Sequence, residues 1–437
     1  MAGATSFLGD ARGRLLPASI PMRFFGSAVG FHLLAWLTLL AGAAQLPAFS
    51  GGLGLPLGAL HLLTLGVLVM TVIGASLQLL PVATRQAVAS PGALALLWWL
   101  YTPTVALLTA AMALVWVRLL AIAAALVVGV LLAYAALLAR NLTRARGMPV
   151  VVLHGWAALL CLVWLLGSGL SLAAGYHGHG VFEQRAALGL HVSLAAYGFM
   201  GLLALGFSYI LLPMFALADA PALRPSMASS GLLVAGLVLA ALAAVGWVPA
   251  PAWSLACVLG LSGLAWHVWL MTRVLRSGMR RRLGRPFVLV YVGWGALAAS
   301  LVAAVALQDD GGFERLRTLF VVLLVGGLLS FVLGVLSRIV PFLASMHAPA
   351  GRRGPPLPSV LTDEQALAVH FFCHLGAFAL LLLAVLADNA WLARAAALAG
   401  SAGALAYGRF FVHAWRGMRA APAAASASSS SRRQIEK

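Results

Sequence analysis

Acidic residues are scarce in this chain, ten among 437, and none lies inside a long apolar run. Ion-coupled membrane transporters commonly exchange a proton or sodium ion on a buried carboxylate, so its absence weighs against that class. Cysteine is rarer still. Cys161, Cys257 and Cys373 stand apart in apolar stretches, which excludes a disulfide framework and any CxxC motif. Lysine occurs once, as Lys437. There is no Walker motif, no glycine-rich nucleotide loop and no Ser/His/Asp arrangement.

What is abundant is apolar surface. Hydrophobic residues make up 63% of the chain, charged residues 9%, and mean hydropathy is +1.01. A water-soluble domain cannot hide that much apolar area, so the solvent for most of this chain is lipid. In lipid each backbone group must be paired within its own segment, and runs near twenty residues long suit helices, not barrel strands. The fold class is therefore all-α: a polytopic membrane protein with twelve transmembrane helices. The spans are expected at 23–47, 58–83, 93–113, 117–139, 151–175, 186–215, 229–247, 252–275, 287–307, 316–343, 366–387 and 391–415. Loops between them are short, so neighbours should pack antiparallel.

The formal charge of +18 does not point to nucleic acid, because the arginines fall in alternate loops. They flank span 1 (Arg12, Arg14, Arg23) and follow spans 2, 4, 6, 8, 10 and 12, as at Arg85, Arg140, Arg224, Arg273 to Arg285, Arg352 and Arg416. The positive-inside rule then puts both termini in the cytoplasm of a bacterial inner-membrane protein. Residues 1–20 lack a charged start, apolar centre and small-residue cleavage site, so no signal is expected to be removed.

One block recurs three times: Gly74 to Pro81, Gly206 to Pro213 and Gly334 to Pro341, with glycine and proline seven residues apart. The copies are separated by 132 and 128 residues, about four membrane helices each. Each proline is expected to end its helix, because it removes a backbone donor. The chain reads as three four-helix units at about 23–147, 148–285 and 286–419. A cytoplasmic segment, 1–22, precedes them, and a low-complexity disordered tail, 420–437, follows. First helices align Phe31-His32 with Leu153-His154 and with Tyr291 to Trp294. Fourth helices align Tyr134, His267 and His413, each six residues before an arginine.

Histidine is the chemistry-bearing residue of the spans. His32, His61, His154, His191, His267, His370, His374 and His413 all lie in apolar runs, where a polar ring must be hydrogen-bonded or ligate something. Imidazole is also a common ligand of haem iron and copper. By topology, His61 and His191 lie toward the outer face, with the loop histidines His177 and His179. The other six share the cytoplasmic half and form one candidate inner metal group. His61 and His191 open equivalent helices of successive units and are the strongest ligand candidates. His370 and His374, four apart, share one helix face, and Cys373 is their neighbour. Each of these histidines could instead be a packing residue, and His267 and His413 could serve in the aromatic belt.

Twelve helices in three units, with histidines opening spans 2 and 6, resemble subunit I of the haem–copper oxidase superfamily. The chain resembles its NnrS-like branch more closely. The resemblance is carried by Arg23-Phe24-Phe25, His61 to Gly66, Gly74 to Val82, His191, Gly206 to Phe215, and Gly334 through Pro341-Phe342-Leu343 to His347. It implies a membrane protein that contains haem, copper or both and is linked to nitric oxide and denitrification stress, with respiratory-chain or denitrification proteins as partners. Spans 7 and 10 lack the histidines that an oxygen-reducing member needs, so terminal oxidase activity is not expected. Two other classes compete: a copper transporter or handling protein, and a cofactor-free scaffold for a respiratory complex.

Overall fold

The computed structural model describes residues 16–86, 89–280, 283–307, 314–349 and 355–420. Residues 1–15 of the N-terminal segment with Arg12 and Arg14, Arg352, and the expected tail from 421 onward lie outside them. Among the described residues there is no strand, and twelve helices are long and apolar enough to cross a membrane. They are α1 (Ser19–Ala41), α2 (Leu55–Thr84), α3 (Pro91–Ala113), α4 (Val117–Leu142), α5 (Pro149–Gly175) and α6 (Gln184–Ala216). They continue as α7 (Leu223–Ala244), α8 (Pro251–Ser277), α9 (Arg285–Ala306), α10 (Glu314–His347), α11 (Glu364–Leu386) and α12 (Ala390–Arg419).

Boundaries differ from expectation most at α1, which starts earlier and stops at Ala41. Gly42 closes the helix against Leu55, where an added Cβ would lie 2.6 Å from the Leu55 Cβ, and a short 3-10 turn follows. The three block prolines do not end their helices. Pro81, Pro213 and Pro341 sit inside helices that continue to Thr84, Ala216 and His347. A proline costs one helical bond, which packing on every side outweighs here. The actual stops of α2 and α6 are Arg85 and Leu217, both in the left-handed conformation.

Three helices form the centre. The most apolar stretches of α2, α6 and α10 are 67%, 89% and 72% buried, against at most 50% for the other nine. These three touch one another, and the others surround them: α1, α3, α4, α5, α7, α8, α9, α11 and α12, with α12 closing back on α1. In each unit the first helix packs on both the second and the third. The block glycines permit this approach. A Cβ at Gly74 would lie 2.8 Å from Phe24, at Gly206 2.7 Å from His154, and at Gly334 2.5 Å from the Pro286 carbonyl. These contacts put His154 level with Phe24, not with His32, which corrects the register expected for the first helices.

A serine of each block meets a ring on the unit's fourth helix. Ser76 Oγ lies 2.8 Å from the Tyr134 hydroxyl, and Ser208 Oγ 3.0 Å from His267 Nε2. In the third unit Tyr407 lies beside Ser337 without closing a hydrogen bond of good geometry. The third unit's ring is thus Tyr407. His413, six residues further on, takes the place of Arg140 and Arg273 and is exposed at the helix end. Interhelical hydrogen bonds in membranes contribute about 1 kcal/mol. Tyr134→Phe should therefore lower unfolding free energy in detergent by about that much, and adding Ser76→Ala should cost little more.

Twelve crossings return the chain to the end where it began. His347, at the end of α10, lies 2.9 Å from the Leu16 carbonyl, while Thr318 near the start of α10 bonds Phe49 in the first loop. At the terminal end Asp363 caps α11 through the Ala366 N–H and pairs with Arg409 of α12 at 2.9 Å. The capping N–H first, and Arg409 after it, lower the Asp363 carboxyl below its ordinary value.

Candidate functional site

Two helices of the central triad carry a stretch of wider, π-helical turn: Leu62–Val69 in α2 and Leu194–Gly201 in α6. Their starts are 132 residues apart, the spacing of the proline blocks. A π stretch re-aims side chains at its edge and recurs at functional sites. His61 directly precedes the first, and His191 lies just before the second. The two rings face each other with centroids 6.2 Å apart and planes 31° from parallel. Both keep part of their surface open.

The two imidazoles are held differently. A carbonyl can only accept, so His61 Nδ1–H donates to Leu57, 3.1 Å away, which leaves Nε2 with the lone pair. His191 Nδ1 is buried and has no hydrogen-bond partner within the chain. Gly169 of α5 fixes the ring from one side: a Cβ there would meet His191 at 3.1 to 3.2 Å. At that centroid spacing one ion could be held between the two rings.

The remaining span histidines do not form the single inner group expected. They divide into two clusters and one outlier. In the second unit His154 Nε2 lies 3.1 Å from Ser230 Oγ, whose own proton goes to the Ser226 carbonyl. His267 is bracketed by Ser208 on Nε2 and the Tyr209 hydroxyl on Nδ1, at 3.0 and 3.2 Å. Since the Ser208 proton is committed to Leu205, Nε2–H donates to Ser208 and Tyr209 O–H donates to Nδ1. His267 thus has no lone pair left for a metal. His154 keeps a bare Nδ1.

The other cluster joins the first unit to the third: His32 of α1 with His370 and His374 of α11. Centroids of His32 and His370 are 6.2 Å apart, and those of His370 and His374 5.7 Å. All three rings are buried. The Cys373 Cβ lies beside Gly403 of α12, and among the described residues Cys373 makes no three-ligand group with these histidines. His413 stands alone at the exposed end of α12, and His177, also exposed, reaches the Val117 carbonyl at 3.2 Å.

Several partners were not singled out by sequence: Trp36, Gly169, Tyr209, Ser230 and Ser330. Only Tyr209, inside the repeated block, had a signal to find it by. Among the described residues no three or more His, Cys, Asp or Glu side chains are arranged to hold one metal ion. The His61–His191 site is a pair. No protein-family model matches the chain, and no curated protein matches it.

Proposed function

We propose that the chain is a haem- or copper-binding inner-membrane protein in which His61 and His191 would together hold one metal, with both termini in the cytoplasm. The observation that carries this reading is the 6.2 Å centroid spacing of two imidazoles placed beside matching π-helical stretches. Ligand number narrows the metal. Zinc and cupric sites built from protein alone ask for three or four ligands. A haem, which brings most of its iron's ligands itself, or a cuprous ion would be held by such a histidine pair.

In that role Leu57 orients His61 and leaves Nε2 free to ligate, while Gly169 leaves room for the His191 ring. A bound haem would supply one-electron redox chemistry. The resemblance to the NnrS-like branch makes nitric oxide the first ligand to test, with respiratory or denitrification proteins as partners and no terminal oxidase activity. The transporter reading requires a histidine path from the outer pair to the other end, and the two inner clusters lie in different units.

Purified full-length protein should contain iron or copper near one atom per chain. A reduced-minus-oxidised absorption spectrum then tells haem from copper. The His61→Ala/His191→Ala double variant should lose that metal. Unchanged metal content in the double variant would overturn the assignment, and protein free of both metals would favour the scaffold.

A further inference from the structure

The cluster of His32, His370 and His374 has a donor and acceptor set that can be read atom by atom. The Trp36 indole N–H can only donate, and it lies 3.0 Å from His32 Nε2. His32 therefore has its lone pair on Nε2 and its proton on Nδ1. His370 Nδ1 lies 3.0 Å from the Gly403 carbonyl, so it carries the proton and Nε2 carries the lone pair. Ser330 gives its own proton to the Gly326 carbonyl at 2.8 Å. His374 Nε2, 2.8 Å from Ser330 Oγ, must then be the donor, which leaves the lone pair on Nδ1.

The three atoms left over are His32 Nδ1–H, His370 Nε2 and His374 Nδ1. Each is buried, and each lacks a partner within the chain. The residues themselves are only 1 to 3% exposed. One donor and two acceptors remain, in rings whose neighbouring centroids are 5.7 and 6.2 Å apart. A cation would face the His32 N–H unfavourably. A water molecule matches all three, because it can accept one hydrogen bond and donate two.

We propose that His32, His370 and His374 enclose a single hydrogen-bonded water and with it form a proton-holding site in the membrane domain. The water accepts from His32 Nδ1–H and donates to His370 Nε2 and His374 Nδ1. An added proton binds the lone pair of His374 Nδ1, and the new N–H donates to the water. The water turns so that it accepts from His32 and His374 and still donates to His370. The three ring nitrogens stay paired in both states, at the cost of one water O–H left over after protonation, so the site can hold or release one proton without rebuilding its rings.

Its surroundings are uncharged. From α12 the ring of Tyr407 covers His370 with centroids 4.6 Å apart, and α10 contributes only the neutral Ser330. The titratable groups facing the water are thus the three histidines and Tyr407. No Asp, Glu, Arg or Lys is among the buried residues described. The trio is independent of the metal assigned to His61 and His191.

The test is nitrogen NMR of full-length protein labelled with ¹⁵N-histidine in lipid, with His32→Gln, His370→Gln and His374→Gln used for assignment. At alkaline pH the expected tautomers are Nδ1–H for His32 and His370 and Nε2–H for His374, each ring giving a cross-peak to water. Acidification should add one proton to the trio. Ser330→Ala, a small change that leaves the rings in place, should release the His374 tautomer and weaken its water cross-peak at least several-fold. Loss of all water cross-peaks in the parent protein, different tautomers, or copper that departs in His374→Gln while His61 and His191 are intact would each overturn the proposal.

Discussion

Gly400→Leu should leave almost no folded protein in the membrane. Gly400 lies on α12 against Trp36 of α1, and a Cβ there would fall 2.2 to 2.4 Å from three indole atoms. Trp36 is itself 4% exposed and tied to His32, so its ring cannot step aside cheaply. Overpacking usually costs about 1–3 kcal/mol, and a leucine here adds three more heavy atoms to an existing overlap. The affected seam also closes the outer ring of helices, joining the third unit to the first. The expected readout is loss of the monodisperse species in detergent gel filtration. Adding Trp36→Ala should restore part of it, and a normal profile for Gly400→Leu alone would mean that α1 and α12 do not meet this way.

Gly169→Leu should spare the fold and strike the metal. The only atoms close to a Cβ at Gly169 are Cε1 and Nδ1 of His191, the far end of a side chain that can turn away. Turning it away would remove one of the two proposed ligands. Changes in the groups supporting metal ligands typically cost about 10–100-fold in affinity, so at least a tenfold fall is expected. Gly167→Leu is the control, since nothing lies within 4 Å of a Cβ there. Equal metal content in the two variants would sever Gly169 from the site.

The spans were legible because lipid imposes a length and a composition on each helix, and the repeated block gave the order of the central three. The π-helical stretches were not. Leu62–Val69 and Leu194–Gly201 lie in helices buried on nearly all sides, so apolar residues surround the axis and carry no phase from which a wider turn could be read. His61 and His191 were singled out through the repeat despite a two-residue offset, because both open helices of the central triad, and the structure brings their rings together. Grouping the inner histidines failed for a geometric reason. Sequence gives depth along the membrane normal, but not which unit abuts which, and His32 meets His370 only because α12 brings the third unit back to α1. The same gap hid Tyr407: spacing from an arginine favoured His413, whereas the position against Ser337 selects the residue about one and two-thirds turns earlier.

The measurement closest to the central claim is the electron paramagnetic resonance spectrum of the oxidised, metal-loaded protein and its single variants. Two imidazoles on one haem iron predict a low-spin signal that becomes high-spin in both His61→Gly and His191→Gly and returns when free imidazole is added. If the protein carries copper alone, both variants should show the same loss of nitrogen ligation by X-ray absorption. A metal signal that one variant changes and the other leaves untouched would contradict the pairing of His61 with His191.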